Sequence, residues 1–236
     1  MYADDLMLLA ASVTELQKMI SLCKDLLDGI DMIINSSKTM CLRIGRGFNA
    51  NCVNLVVGLN SLKWVSSVRY LGVFIQSYKV FRVVLDDARK RFYMASNSIL
   101  SKVCKDQIAV VLSLTASYCT PILLYGLEAV TLNKAERSRL NNPFNMIFSK
   151  LFGTYDKSVI KSCQLYCGYL PFNLLLDMKI LRFYRKFINL DNSIVNQLFS
   201  INGMHEFLSI AYKYGVKIDD SDRLIKKKMW TVFVND

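Results

Sequence analysis

From about residue 78 to its end, the chain returns apolar side chains at intervals of three and four, and a polypeptide patterned that way can remove them from water only as packed helices. The periodic runs predict helices over 80–104, 106–126, 134–152, 156–166, 172–190, 193–200 and 204–213. With 236 residues, 53% of them hydrophobic, the chain can bury a sizeable core without disulfide or metal staples. That composition fits neither a disordered tail nor a low-complexity fibre. No internal repeat recurs, which argues against a solenoid.

The first 77 residues follow a different pattern. Met1-Tyr2-Ala3 and the apolar stretch 6–11 flank Asp4-Asp5, as two strand stubs meeting at an acidic turn would. Ser12-Val13-Thr14-Glu15 has the form of a capping box. Val13, Leu16, Met19, Ile20, Cys23, Leu26 and Leu27 then recur at helical spacing up to Gly29. Asn35-Ser36-Ser37-Lys38 carries turn chemistry, and 40–44 predicts a strand. Residues 53–57 and 62–65 flank Gly58-Leu59-Asn60-Ser61 as a hairpin, and 68–75 predicts one further strand with Gly72 inside it. The fold class is α+β, with mixed structure over 1–77 and helices over 78–130 and 131–236.

The charge is unevenly placed. The net +11 arises after residue 62: residues 1–62 hold 5 basic and 6 acidic side chains, and residues 63–236 hold 25 and 13. A positive balance favours a polyanionic partner, nucleic acid or an anionic membrane surface. Seven scattered cysteines and the sole histidine, His205, point to reduced thiols in an intracellular protein rather than to a disulfide framework or a zinc site. Residues 108–127 carry no charge over a bilayer's width. Ser113, Thr115, Ser117, Thr120, Pro121 and Gly126 interrupt them, so a buried helix broken near Pro121 is favoured over a membrane span.

Three adjacent carboxylate pairs occur: Asp4-Asp5, Asp86-Asp87 and Asp219-Asp220. The second precedes Arg89-Lys90-Arg91 and fits helical ion pairs, and the third sits in a polar stretch with Asp222. Only Asp4-Asp5 lies between apolar segments, where an unpaired carboxylate is costly without a metal or a turn that exposes it.

Tyr2-Ala3-Asp4-Asp5-Leu6-Met7-Leu8-Leu9-Ala10 resembles the Tyr-Ala-Asp-Asp hairpin of reverse transcriptases. Other stretches resemble, in matching order, later segments of the enzymes of non-long-terminal-repeat retrotransposons. These are the helix at 12–29, Ile34-Asn35-Ser36-Ser37-Lys38-Thr39, Val68-Arg69-Tyr70-Leu71-Gly72-Val73 and, further on, Pro121-Ile122-Leu123-Leu124-Tyr125-Gly126-Leu127-Glu128-Ala129. The resemblance implies a partial polymerase palm over 1–77, thumb-like helices over 78–130 and a helical extension over 131–236. It also implies RNA-directed DNA synthesis, in which two Mg²⁺ or Mn²⁺ ions activate the primer hydroxyl and stabilise the leaving pyrophosphate. By that likeness Asp4 is the main metal ligand and Asp5 the accessory carboxylate. Tyr2 and Ala3 would shape the hairpin at the primer end, Lys38 would approach the phosphates, and Tyr70, Leu71 and Gly72 would form the primer-grip hairpin. RNA template and DNA primer are the implied partners.

One departure from the family governs the expectation of activity. In those enzymes an upstream palm strand supplies a further metal-binding aspartate, and fingers hold template and nucleotide. Two ions about 3.5–4 Å apart need carboxylates converging from separate segments, which one dipeptide cannot provide. The chain is therefore expected to be the C-terminal part of such an enzyme and silent alone, with an apolar palm edge near 6–9 prone to self-association. Arg82, Arg89 and Lys90, with Lys79, Arg91, Lys102 and Lys105, would track nucleic acid beside Tyr78, Phe81, Phe92 and Tyr93. Lys179, Arg182, Arg185 and Lys186 recur as one solvated helix face, and 223–230 forms a basic stretch fit for a nuclear address or phosphate contact. The alternative is a basic helical nucleic-acid-binding protein without catalysis, in which Asp4-Asp5 is only a turn.

Overall fold

The computed structural model describes residues 4–104, 106–188, 190 and 192–235. The chain is α+β and divides into two compact units, 1–84 and 85–236.

In the first unit, helix α1 (Val13–Asp28) starts where Ser12, in extended conformation, accepts the Glu15 N–H on its hydroxyl (3.1 Å). One face of α1 places Val13, Leu16 and buried Ile20 against Cys41, Leu55, Val57 and Leu62, which form this unit's small core with Leu8, Ile34 and Trp64. The opposite face leaves Met19, Leu22 and Leu26 exposed. After the helix Gly29 keeps a right-handed backbone, and the left-handed step falls at Asp31 (φ 56°), a residue type whose short polar side chain tolerates it. Asn35 then closes a turn by accepting the Ser37 and Lys38 N–H groups on its side-chain oxygen (3.1 and 3.2 Å).

Strands in this unit are short. β1 (Met40–Cys41) runs parallel to β4 (Lys63–Trp64), and β2 (Val56–Val57) pairs antiparallel with β3 (Asn60–Ser61) across Gly58-Leu59, a tighter hairpin than the sequence predicts. The Gln17 amide fixes β2 to α1: its nitrogen donates to the Val56 carbonyl and its oxygen accepts the Val56 N–H, both at 2.9 Å.

A three-stranded antiparallel sheet follows, of β5 (Ser67–Tyr70), β6 (Val73–Gln76) and β7 (Arg82–Val83). Here the expectation of one strand over 68–75 is corrected. Leu71 and Gly72 both take left-handed backbone (φ 46° and 83°), and the chain reverses so that Tyr70 faces Val73 and Val68 faces Ile75. Two successive positive φ angles make the two-residue turn whose twist matches that of its strands. A second correction concerns 6–10, which are irregular rather than a strand. Because β7 pairs with β6, residues 78–84 belong with the first unit, and the division falls seven residues beyond the expected end at 77.

The second unit is helical. α2 (Leu85–Lys102) begins with Asp86 and Asp87, which pair with Arg89 and Arg91 (both 2.8 Å); Asp86 also pairs with Arg139 (2.7 Å). α3 (Ile108–Leu114) passes through a π-helical turn, Thr115–Cys119, into α4 (Thr120–Leu124). Pro121 at the start of α4 has no N–H to donate. The turn widens just before it, the Thr115 carbonyl receiving both the N–H and the hydroxyl of Thr120 (3.1 Å for the latter). Gly126 at φ 73° ends the run, and Leu127–Ala129 form a 3₁₀ turn. The stretch Ile108–Ala129 is long and apolar enough to cross a bilayer by length and composition, and a third of it is buried inside the protein.

α5 (Lys134–Phe152) opens with a reciprocal capping box between Asn133 and Glu136 and closes at left-handed Gly153. Its Leu140, Phe144, Ile147 and Phe148 are buried, as are Phe172, Leu176, Ile180 and Leu181 of α7 (Phe172–Ile188), with α6 (Lys157–Tyr166) between them in the chain. α8 (Ser193–Leu198) runs through a second π turn, Phe199–Gly203, into α9 (Met204–Tyr214). The basic stretch near the end is a further helix, α10 (Asp222–Asn235), whose Ile225, Met229 and Phe233 recur every four residues and are buried. Asp177 on α7 is 2% exposed and joins three helices: it accepts from Arg137 of α5 (2.5 Å) and from Lys213 (3.2 Å) and Tyr214 (2.6 Å) of α9.

Candidate functional site

Asp4 lies in a turn and Asp5 forms an isolated bridge at its exit; both are exposed. The turn itself removes the cost of burying these carboxylates, so apolar flanks alone do not demand a metal here. Tyr2 and Ala3 lie outside the described residues. Lys38 is exposed on the Asn35 turn, where its backbone rather than its ammonium is held. Among the described residues, no ion pair links Asp4, Asp5 and Lys38 to one another, and no cluster of three or more His, Cys, Asp or Glu side chains gathers to hold a metal.

Tyr70, Leu71 and Gly72 form the tip of the β5–β6 hairpin, with Tyr70 half-buried and Leu71 exposed. At this tip Gly72 presents no side chain and leaves the backbone open to close approach. The left-handed Leu71 is the feature that sequence reasoning missed. The adjacent Gly72, midway between two alternating stretches, was its only signal.

The basic candidates fall in both units. Arg82 on β7 stacks over Tyr78 (5.3 Å from guanidinium carbon to ring centroid), and the same ring packs against Phe48 at 5.6 Å. In the second unit Lys90 is exposed and Arg89 is tied to Asp86. That hydrogen bond, with Arg139 behind it, holds the Asp86 carboxyl below the usual aspartate range. Phe92 is fully buried, so it is core rather than a stacking surface, and Tyr93 is half-buried; Tyr78 and Phe81 remain exposed.

The α7 cluster is not a free solvated face. Lys179 reaches Glu128 (2.9 Å) and the Leu124 carbonyl (2.5 Å), while Arg182 and Arg185 share the two oxygens of Asp222 (2.9 and 3.0 Å). These cations tie α7 to the segment after α4 and to the start of α10. With exposed Lys186 they line a cleft of about 510 Å³. Asp220 is likewise no solvated turn residue: it is buried and accepts the Lys217 N–H (2.8 Å) and the Lys228 ammonium (2.6 Å).

Comparison with protein-family models, with curated proteins and with solved structures finds no match in any of the three.

Proposed function

We propose that the chain is part of an RNA-directed DNA polymerase of the retrotransposon type. In this reading 1–84 are palm, 85–130 thumb-like helices and 131–236 a helical extension. The observation that carries the proposal is the order of its motifs on local structures suited to them. An exposed Asp4-Asp5 turn precedes the capped helix α1, the Lys38 turn and the Leu71-Gly72 hairpin tip, in that sequence.

In this reading Asp4 and Asp5 are metal ligands for Mg²⁺ or Mn²⁺. Tyr2, Ala3, Tyr70, Leu71 and Gly72 attend the primer terminus, Lys38 a phosphate, and Arg82, Arg89 and Lys90 the nucleic-acid backbone. Two-metal transfer requires a further carboxylate from another segment. On this reading the chain by itself is expected to be silent. Leu9 and Ile33 are 78% and 90% exposed, and such exposed apolar side chains in the first unit are in keeping with self-association.

The test is primer extension on a homopolymer RNA template with Mg²⁺ or Mn²⁺. It compares this chain, the chain extended upstream in its own reading frame, and that extended form with Asp4→Ala. Synthesis by the extended form alone, lost with Asp4→Ala, supports the proposal. Synthesis by this chain alone refutes the need for a further carboxylate. Silence in every form, with retained RNA binding, favours the non-catalytic nucleic-acid-binding protein, in which Asp4-Asp5 is a solvated turn.

A further inference from the structure

The π turn Thr115–Cys119 stands at one wall of an apolar cleft of about 490 Å³ that lies wholly within the helical unit. Phe144 and Phe148 of α5, Leu112 of α3 and Leu170 give it its apolar character. Three features of the lining go beyond packing. Thr115 is 4% exposed, yet its hydroxyl meets no hydrogen-bond partner among the described residues, a condition that folded proteins seldom leave standing without a use. It sits on a π turn, a distortion that recurs at functional sites. Among the described residues the only charged side chain in the lining is Lys226 of α10, which is exposed and forms no ion pair with any of them.

We propose that this cleft binds a small amphipathic monoanion, a carboxylate with an apolar body. The body lies against Phe144 and Phe148, the carboxylate meets the Lys226 ammonium, and the Thr115 hydroxyl supplies a polar contact within the lining. A single cation matches a single negative charge, whereas a phosphate monoester would call for more than one. The volume is in the range of sites that enclose small ligands, about 300–1,000 Å³. Nothing in this inference depends on the polymerase proposal.

Cys167 lines the same cleft and is half-exposed, which supplies a direct reporter. Burial, and after it the neighbouring Cys163, push the Cys167 thiol up, so alkylation by iodoacetamide is run in mildly alkaline buffer. The full chain is alkylated with and without dodecanoate below its micelle concentration, and each cysteine is followed by peptide mass spectrometry. Cys104, exposed and outside the cleft, is the internal reference.

The expected result is saturable, several-fold slowing at Cys167 with Cys104 unchanged. Lys226→Gln should raise the half-saturating concentration about tenfold, the loss of one charge-assisted contact. Ala116→Phe, at an exposed position in the lining, should abolish protection. Dodecanol, which lacks the charge, should protect the unaltered chain no better than dodecanoate protects Lys226→Gln. Absence of protection at Cys167, equal slowing at Cys104, or unaltered protection in Lys226→Gln would each overturn the proposal.

Discussion

Asp177 offers the sharpest test of what holds the helical unit together. Its carboxylate is 2% exposed and accepts from Arg137, Lys213 and Tyr214, so Asp177→Ala removes one charge and strands three donors. The Arg137 side chain is 23% exposed and cannot fully recover its hydration. Taking one partner from a buried ion pair costs about 3–5 kcal/mol, because the remaining charge is left uncompensated. For a unit of this size each kcal/mol lowers Tm by about 2–4 °C, so the variant should melt about 6–20 °C below the parent. Urea unfolding followed by far-ultraviolet circular dichroism reads the change. Asp86→Ala is the control: Asp86 is 62% exposed, and its pairs with Arg89 and Arg139 should contribute no more than about 1 kcal/mol. If Asp177→Ala fell within 1 kcal/mol of the parent, or matched Asp86→Ala, Asp177 would not be the tie between α5, α7 and α9.

Three further outcomes are expected. Gly72→Val, which forces a β-branched residue to φ 83°, should destabilise the first unit by about 1–2 kcal/mol, while Leu71→Asn should be neutral or mildly stabilising; fluorescence of Trp64, the tryptophan of that unit, reports both. Leu9→Lys combined with Ile33→Lys should reduce binding of an apolar dye and concentration-dependent association in sedimentation, and no change would show that this surface is not the adhesive one. The Asp86 carboxyl is held low by Arg89 and then Arg139, and that of Asp220 by Lys228 and then the Lys217 N–H. Depressed acids contribute stability that is complete above the unfolded value of about 4 and is lost as pH falls through the lower folded values. Stability should therefore be flat from pH 7 to 5 and fall below about 4, less steeply in Asp220→Asn.

The parts of the fold legible in the sequence are those governed by neighbours along the chain. Ser12 and Glu15 announced α1, and the periodicity of 134–152 gave α5 its full length. Where structure depended on a distant partner or a rare backbone state, the local pattern misled. Leu71 is an apolar β-sheet type of residue whose left-handed turn depends on the strands it joins, so 68–75 looked like one strand. The Lys226-Lys227-Lys228 run masks the stripe of Ile225, Met229 and Phe233, so the sequence shows a basic stretch where the fold has α10. The spacing of Lys179, Arg182 and Arg185 correctly put them on one side of α7. Periodicity carries no information about Glu128 and Asp222, which convert that side from solvated to engaged. For the candidate site, the sequence supplied residue types and their order, and the exposure of Asp4 and Asp5 came from the turn.

The π turn before Pro121 also makes the α3–α4 helix a register device. Each residue advances an α-helix by 100°, so the wider turn dials every later side chain back relative to a regular helix. Thr115, Cys119, Thr120 and Leu123 all face inward under that setting. The Thr115 carbonyl pairs with the N–H five residues on, so the turn takes up one more residue than an α-turn while Thr120 still stacks over Thr115. Deleting Ser117 would let the backbone close into ordinary α-helix with Thr120 as the fourth residue on, and Leu123 would keep its inward facing. One residue can therefore be lost inside this turn, whereas a deletion at Ile122, beyond it, would rotate the side chains that follow by about 100°.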